Sequence, residues 1–318
     1  MPVFANMSVE QQVASLANCL SEILEQYDLG VCETESINHE FNSTFKVTAA
    51  DGELFALRIN VNSNRSIENL QAEVFWVNSI NEVLTPKPKA NKRGEFATLG
   101  WHEATGRKLS AVLYSWLHGE EPGDGPTLEQ LGAAGVAMAK LHKSSVDLVL
   151  PAGADLPDLS DFLWGERDYL LSEDSKLAEA DKKRLSSAKS WIEESLTSLF
   201  ESSSAPQPIH ADLHPWNLMW HEGKIAVFDF DDCGMGLPMQ DLAIAIYYLD
   251  TDDQTQAFLA GYESVQSLPV YTAKQMQALL LQRRIMLLNY LYETSNPEHS
   301  GMIPEYQTET FRRIEAAI

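Results

Sequence analysis

One segment limits what this chain can fold into more than any other: at residues 208–232 a short β-rich stretch interrupts a largely helical pattern. The segment reads PIHADLHPWNLMWHEGKIAVFDFDD. Its two apolar runs, residues 218–220 and 224–230, meet at Glu222-Gly223, which is typical of a tight β-hairpin. The sequence therefore predicts an isolated hairpin inside a helical half of the chain.

Polar side chains converge at the open end of this predicted hairpin. With the turn centred on the Glu-Gly pair, Asn217 lies opposite Phe228 and beside Asp229, at the spacing of about 5 Å between cross-strand neighbours. An amide oxygen and a carboxylate so placed suit Mg²⁺, which prefers oxygen ligands. Asp212, on the loop that leads to the same end, can accept a proton from a hydroxyl group, as phosphoryl transfer requires.

Turn preference offers a simpler explanation for any one of these residues, because Asp and Asn are common in turns. Together, however, and with Asp231 and Asp232 adjacent, they crowd carboxylates onto an apolar hairpin. Such carboxylates repel one another unless a cation binds. The segment as a whole therefore favours a metal-dependent phosphoryl-transfer site.

The first part of the chain alternates between helical and β patterns. Asp51-Gly52 separates two alternating runs and is a strong hairpin signal. The predicted elements are helices at 8–27 and 67–83 and strands at 43–47, 54–59, 95–99 and 110–116. The pattern indicates a small lobe with an antiparallel sheet.

The remainder is mostly helical and follows a Gly- and Pro-containing linker at 119–126. Its predicted helices span 128–143, 160–171, 177–200, 239–249, 254–262 and 273–294. The prediction is thus an α+β protein with a small mixed N-terminal lobe at 1–117 and a larger, mostly helical C-terminal lobe at 118–318. A length of 318 residues agrees with about two domains.

The charge is strongly acidic, with 46 Asp and Glu against 23 Lys and Arg, a formal net charge of −23. Nucleic acid and anionic membrane surfaces are therefore poor candidates as partners. No signal peptide or apolar run of membrane-spanning length is apparent, so we expect a cytoplasmic protein. Residues 120–318 hold 32 acidic and 14 basic side chains, net −18, which favours either a cationic ligand or simply a solvated acidic surface.

The segment HADLHPWN followed by FDFDD resembles the catalytic loop and metal motif of the aminoglycoside phosphotransferase/choline kinase-like superfamily. Residues 55–60 look like the third strand of that superfamily, 67–83 like its lobe-spanning helix and 113–120 like its hinge. Leu141-His142 and residues 239–243 also match, in the right order. The resemblance implies a bilobal protein-kinase-like fold, with 1–117 as the nucleotide-binding lobe and 118–318 as the catalytic and substrate-binding lobe. It also implies ATP and Mg²⁺ as cofactors and a hydroxyl group as phosphate acceptor.

The resemblance also implies roles for individual residues. Asp212 is similar to the catalytic Asp that orients and deprotonates the acceptor hydroxyl, and Asn217 and Asp229 are similar to the Mg²⁺ ligands. Nucleotide contacts are implied for Arg58 with its partner Glu73 and, through backbone groups to adenine, for Ser115, Trp116 and Leu117. Supporting roles are implied for His210 and Asp241 behind the catalytic loop and for Asp231 beside the metal. The spacing of Glu73 from Leu70 and Val77 independently favours it over Glu68 as the inward-facing partner.

Three features depart from the superfamily pattern. Arg58 stands where Lys is usual, and Arg binds phosphate through a fork rather than a point charge. The expected phosphate loop at 39–44 contains no Gly, so Asn42, Ser43 and backbone amides must hold phosphate there. Trp216 stands where Gly is usual, and its larger side chain narrows the space for the phosphate acceptor.

The adjacent Arg283 and Arg284 lie on a predicted helix. A helix can turn only one of them toward a cleft, and a solvated or salt-bridged role is favoured for the pair.

The sequence thus predicts an ATP- and Mg²⁺-dependent phosphotransferase that acts on a hydroxyl of a small molecule, with an amino alcohol or amino sugar favoured. A protein Ser/Thr kinase on the same fold is the main alternative. A nucleotide-binding pseudoenzyme and a metal-dependent phosphohydrolase are further ones. The acceptor's identity and the oligomeric state are not encoded in any pattern that we can read.

Overall fold

A five-stranded antiparallel sheet organises the N-terminal part of the chain in the computed structural model, which describes residues 4–203, 205–294 and 296–318. The strands lie in the order β1-β2-β3-β5-β4. Their bounds are β1 Glu33–His39, β2 Asn42–Thr48, β3 Leu54–Asn60, β4 Ala97–His102 and β5 Arg107–Ser115. This sheet and the helical remainder confirm the predicted α+β class.

The β2–β3 hairpin follows from the alternation of its sequence, because every second residue of both strands is buried. Gly52 in the turn has a φ of +88°, which a residue without a Cβ adopts at no steric cost. The predicted hairpin is therefore confirmed. Strand β1 was not predicted, because its sequence ETESINH is polar and six of its seven residues are exposed.

Three helices belong to the same part of the chain: α1 Val9–Ser15, α2 Ala17–Leu24 and α3 Ile67–Ser79. The helix predicted at 8–27 is divided at Leu16, which ends α1 and begins α2. The predicted apolar stripe of α3 is confirmed, since Leu70, Val74, Val77 and Ile80 are all buried. The helix ends earlier than predicted because Ile80 is already extended.

The later helices are α4 Leu128–Ser145, α5 Glu179–Ser202, α6 Pro238–Tyr247, α7 Asp252–Glu263, α8 Ala273–Glu293, α9 Pro297–Gly301 and α10 Ile303–Ala317. The helix predicted at 160–171 is wrong, since this stretch contains only turns and bends. Asp158, Asp161 and Asp168 each accept a hydrogen bond from a backbone N–H two residues ahead. These local bonds compete with a helical backbone, which explains why an apolar spacing was not enough.

The β interruption of the sequence forms two small sheets. Strands β7 Leu218–His221 and β8 Lys224–Val227 make the predicted hairpin. Glu222 and Gly223 have φ values of +48° and +74°, as two-residue hairpin turns require. Strand β6 Gln207–Ile209 pairs with β9 Gly234–Gly236. A Cβ on Gly234 would lie 2.7 Å from the carbonyl oxygen of Pro157, so the residue must be small.

The chain divides into two compact units. The first contains the described residues up to Glu120 together with Val149–Asp155 and Met219–Asp231. The second contains Glu121–Leu148, Leu156–Leu218 and Asp232–Ile318. The sequence places the whole β7–β8 hairpin with the C-terminal lobe, whereas its contacts group Met219–Asp231 with the first unit. Within the described residues, no helix combines the length and the apolar character that a membrane crossing needs.

Candidate active site

The loop that the sequence predicts to be catalytic belongs to the second unit, begins where β6 ends and contains His210, Ala211 and Asp212; it is called the catalytic loop below. Ala211 has a φ of +66°, a conformation that costs energy for a residue with a Cβ. Asp241 on α6 holds the backbone there, because its carboxylate accepts from the N–H of His210 at 2.9 Å and of Ala211 at 2.6 Å. The resemblance implied a supporting role for Asp241, and this geometry gives it a physical form.

A buried chain of hydrogen bonds fixes Asp241 in turn. His142 Nε2 lies 2.9 Å from Asp241 Oδ2, and both side chains are 1% exposed. His142 Nδ1 lies 2.9 Å from the Tyr262 hydroxyl on α7. The His142 side chain therefore connects α4, α6 and α7, and it serves the packed scaffold rather than binding a reactant.

Both carboxylate oxygens of Asp212 have partners. Arg283 on α8 donates from Nη2 to Oδ1. Asn217 Nδ2 donates to Oδ2 at 3.1 Å, and His214 Nε2 lies 3.3 Å from the same oxygen. Burial by itself raises the pKa of Asp212, but the charge of Arg283 and the hydrogen bond with His214 outweigh it and lower the pKa to about 2. Asp212 is therefore ionised at neutral pH, and its side chain is 19% exposed.

Sequence reasoning missed this use of Arg283. The two adjacent arginines of α8 are equally buried, at 7% each, but point to different partners. Arg284 stacks on the Tyr306 ring and bonds Thr310, both on α10. Arg283 bonds Asp212 and the Tyr248 hydroxyl. That only one of the pair can face a cleft stays a prediction. The salt-bridged role favoured from the sequence is present in Arg283, but no spacing in the sequence could have shown that Asp212 is its partner.

Asn217 ends a short 3₁₀ turn, Pro215–Asn217, after the catalytic loop. Its amide nitrogen donates to the Asp212 backbone oxygen at 2.8 Å as well as to the carboxylate. This orientation leaves the amide oxygen as the atom that a cation would use, which fits the ligand chemistry of Mg²⁺. In the first unit, Asp229 has a φ of +59° and a side chain that is 49% exposed. An amide oxygen and a carboxylate, the two kinds of ligand that the sequence predicts, are thus present. Their binding of Mg²⁺ stays a prediction.

The first unit contains the predicted Arg58–Glu73 pair. Arg58 Nη2 on β3 donates to both carboxylate oxygens of Glu73 on α3, at 2.5 and 2.7 Å. The Tyr114 hydroxyl donates to Glu73 at 2.9 Å. Burial alone would lower the pKa of Arg58, but Glu73, Tyr114 and Asp231 raise it well above its ordinary value. Arg58 also lies 3.9 Å from both Asp229 and Asp231, so its charge stands beside the metal motif.

The side chains of the two predicted phosphate-loop residues, Asn42 and Ser43, differ in whether they have a polar atom left to bind a nucleotide. Asn42 Nδ2 donates to Asp231 Oδ2 at 2.9 Å, while its buried Oδ1 has no hydrogen-bond partner in the described part of the chain. Ser43 is fully buried, and its hydroxyl lies 2.6 Å from His39 Nδ1. Because the alternation of β2 turns Ser43 inward, its hydroxyl is engaged by His39 rather than presented to a phosphate. Asn42 therefore stays a candidate for nucleotide binding, and the Ser43 side chain does not.

The hinge residues follow the end of β5. Ser115 is tied to the preceding loop, because its N–H donates to the Lys87 carbonyl at 2.8 Å and its hydroxyl accepts from the Lys87 N–H at 2.8 Å. Trp116 and Leu117 are half-buried. Glu120 exchanges two backbone hydrogen bonds with Trp220 of β7. The strand end is thus well fixed, and adenine binding by its backbone stays a prediction.

Three aromatic side chains adjoin Asp212 in the second unit. The ring centroids of His214 and Tyr248 are 4.7 Å apart, and those of His214 and Trp216 are 5.6 Å apart. Trp216 is 40% exposed, so the group is open to solvent. Burial raises the pKa of Tyr248 to about 12, and its hydroxyl therefore stays protonated. The guanidinium of Arg283 lies 5.5 Å from the centroid of the Tyr248 ring, so Trp216 is the member of the group whose face can attract a further cation.

A comparison with protein families decides what this geometry belongs to. The model of the phosphotransferase enzyme family matches residues 34–275, most of the chain. This chain belongs to that family. Membership confirms the predicted superfamily and the predicted class of enzyme, and the match includes Arg58, Asp212 and Asp229.

Individual relatives of this phosphotransferase are distant. A stretch of 39 residues is 49% identical to the amicoumacin kinase of Bacillus subtilis (strain 168), and it covers only 12% of this chain and 12% of that protein. The solved structure of an amicoumacin kinase in complex with AMP-PNP, Ca²⁺ and Ami matches with a TM-score of 0.74 and 18% identity, over 96% of this chain and 94% of that one. A microcompartment-associated aminopropanol kinase matches with a TM-score of 0.76 and 21% identity, over 96% of both chains. At these identities the likeness is one of fold, and it confirms the protein-kinase-like architecture.

Proposed function

We propose that this phosphotransferase moves the γ-phosphate of ATP, with Mg²⁺, to a hydroxyl group of a small molecule that carries an amine. The observation that carries the proposal is the state of Asp212. This carboxylate is ionised and partly exposed, and it is held on a loop whose backbone Asp241 fixes. It is thus placed to accept a hydrogen bond from a hydroxyl group that approaches from solvent, to orient that hydroxyl, and to take its proton as the transfer proceeds.

The reaction needs little covalent chemistry from the protein. The acceptor oxygen forms a bond to the γ-phosphorus, the bond from that phosphorus to the bridging oxygen breaks, and ADP leaves with the electron pair. Asp212 takes the proton that the hydroxyl loses. Asn217 and Asp229 are the residues that we expect to hold Mg²⁺, which when bound neutralises charge on the phosphates. Positioning and electrostatics therefore supply most of the catalysis.

Arg58 is the residue of the first unit that we expect to contact nucleotide phosphate. Its guanidinium keeps its charge at any physiological pH, and Glu73 fixes its position through two hydrogen bonds. One side of such a planar fork can bond a carboxylate while the other bonds a phosphate. The Arg for Lys replacement is therefore compatible with nucleotide binding.

An amine on the acceptor is favoured by two features. The exposed ring of Trp216, which packs against His214 next to Asp212 in the chain, offers a face that attracts a cation. The net charge of −23 attracts cations to the whole protein. The names of the structural relatives, amicoumacin kinase and aminopropanol kinase, point in the same direction, since the second is an amino alcohol kinase by name.

The test is an acceptor panel in which ATP consumption and the mass of the acceptor are followed together. Amino alcohols and amino sugars should gain one phosphate, and Asp212→Asn should abolish the gain while ATP still binds. Phosphate release without any acceptor would instead indicate a phosphohydrolase. Transfer to a Ser- or Thr-containing protein and to no small molecule would establish the alternative protein kinase, and ATP binding without turnover a pseudoenzyme.

A further inference from the structure

The ion pair between Arg283 and Asp212 joins a buried guanidinium to a carboxylate that is partly exposed. Arg283 is the more deeply buried partner, with a side chain 8% exposed against 19% for Asp212. The same Nη2 atom donates to Asp212 and, at 2.8 Å, to the Tyr248 hydroxyl. One guanidinium thus connects α8, the catalytic loop and the residue that follows α6.

Stability alone does not explain this arginine. A buried ion pair seldom stabilises a fold more than apolar side chains of the same volume would. In addition, Arg283 Nε is buried and has no hydrogen-bond partner among the residues that the structure describes. The neighbouring Arg284 offers a direct contrast, because its three guanidinium nitrogens bond Thr310, Tyr247 and Tyr306. Arg284 is used as a packing residue of α8, whereas Arg283 leaves a donor unsatisfied in order to reach Asp212.

The two oxygens of the Asp212 carboxylate are held by different residues. Asn217 and His214 both lie against Oδ2. Arg283 bonds Oδ1, so this pair prevents the carboxylate from rotating about its last side-chain bond. A proton acceptor must lie within hydrogen-bond distance of the hydroxyl it deprotonates. Oδ2 is already contacted by both Asn217 and His214, whereas Oδ1 accepts from Arg283 and has room for one further hydrogen bond.

We propose that Arg283 is a positioning residue of the phosphoryl transfer, which acts by fixing Oδ1 of Asp212 and compensating its buried charge. The inference rests on the proposed function, in which Asp212 meets the acceptor hydroxyl. It assigns Arg283 no contact with the reacting atoms. Its effect should therefore appear in kcat and not in the KM for ATP, because none of its bonding partners is a residue predicted to bind nucleotide.

The kinetic test compares two substitutions at one position with one at its neighbour. Arg283→Met should lower kcat about a hundredfold, at the lower end of what a general base contributes, and leave the KM for ATP within about twofold. Arg283→Lys should recover part of that loss, because an ammonium group keeps the charge but can hold only one point of the carboxylate. Arg284→Met, the matched control, should lower the melting temperature and leave kcat within about twofold. Equal losses of kcat for Arg283→Met and Arg284→Met, with no recovery in Arg283→Lys, would reduce Arg283 to a structural role and overturn the proposal.

A second measurement needs no acceptor. Arg283→Met is made in the wild-type chain and in an Asp212→Asn chain, and the four melting temperatures are compared. The loss should be clearly larger in the wild-type chain, because only there is a buried carboxylate left without its counter-charge. Equal losses in both chains would show that the two side chains are not coupled and would also overturn the proposal. A wild-type protein that phosphorylates no acceptor would overturn the proposed function and with it any role of Arg283 in transfer, while the coupling in melting temperature would still be measured.

Discussion

Arg58 stands where the superfamily resemblance led us to expect Lys, and its surroundings explain how an arginine serves there. Its side chain is 11% exposed; Nη2 donates to Glu73 and lies 3.9 Å from Asp231, and Nη1 lies 3.9 Å from Asp229. A guanidinium can serve several acidic partners because its donors point in fixed, different directions. The pairing with Glu73 could be predicted because helical spacing alone turned Glu73 inward.

Arg58→Ala should weaken ATP binding by about 1.5–3 kcal/mol, the scale of a charge-assisted hydrogen bond, or roughly 10- to 150-fold in Kd. Arg58→Lys should retain part of the affinity, since the charge is kept and the fork is lost. Isothermal titration with ATP and Mg²⁺ measures both. Arg93→Ala is the matched control, because it removes the same charge from an exposed pair with Glu95. An unchanged Kd in Arg58→Ala would show that Arg58 does not contact the nucleotide.

Asp229 supplies the second prediction at this scale. Its side chain is half exposed, so Asp229→Ala should leave the melting temperature nearly unchanged. Turnover should be lost at ordinary Mg²⁺ concentrations, because a carboxylate ligand is the main source of charge in a Mg²⁺ site. Raising Mg²⁺ or replacing it with Mn²⁺ should restore part of the activity. Normal turnover with an unchanged Mg²⁺ requirement would remove Asp229 from the metal site.

At the scale of elements, the packing of α4 against α7 depends on two glycines that meet backbone. A Cβ on Gly135 would lie 2.0 Å from the Phe258 carbonyl oxygen, and one on Gly261 would lie 2.0 Å from that of Gly132. The many Gly and Ala residues of α4 permit close packing, but no pattern in the sequence names the partner helix. The partner matters for function, since Tyr262 on α7 bonds His142 on α4, and His142 bonds Asp241.

Gly261→Ala should therefore lower the free energy of unfolding by about 1–3 kcal/mol, because backbone must move to admit the methyl group. Gly132→Ala is a control from the same interface, since its Cβ would meet only the Ala257 carbonyl oxygen at an ordinary 3.7 Å. That substitution should be neutral or stabilising by up to about 1 kcal/mol through helix propensity. Urea denaturation of both variants measures the difference. Equal stability of the two would mean that the helices adjust without cost.

The elements that sequence reasoning found share one property: their pattern and their local hydrogen bonds agree. The β2–β3 and β7–β8 hairpins combine alternating strands with turn residues that tolerate positive φ, and both were predicted. The stretch at 160–171 has a helical apolar spacing, but its aspartates bind nearby backbone N–H groups and prevent the helix. The Arg283–Asp212 pair joins residues 71 positions apart, so no local pattern could have revealed it.

At the scale of the whole molecule, the net charge follows from the sequence alone, while the fold decides where the charged side chains lie. The net charge of −23 creates a negative potential that attracts cations and repels anions before any specific contact forms. The buried positive charges of Arg58 and Arg283 are each paired with carboxylates, so they do little to reduce this potential at a distance. The two substrates of a kinase for amine-bearing acceptors have opposite charges, and the same field should act on them in opposite directions.

The salt dependence of kcat/KM tests this consequence with a matched pair of acceptors. Between about 0.01 M and about 0.15 M ionic strength the Debye length falls from about 30 Å to about 8 Å, which screens most of the field. For 3-aminopropan-1-ol, kcat/KM should fall severalfold over this range, while for the uncharged propane-1,3-diol it should stay level, because only the first compound is attracted as a cation. The kcat/KM for ATP, measured at a fixed Mg²⁺ concentration, should stay level or rise. Equal salt dependence for the amine and the diol would show that the acidic surface has no part in acceptor choice, and a preference for an amine would then have to come from a local contact such as the exposed ring of Trp216.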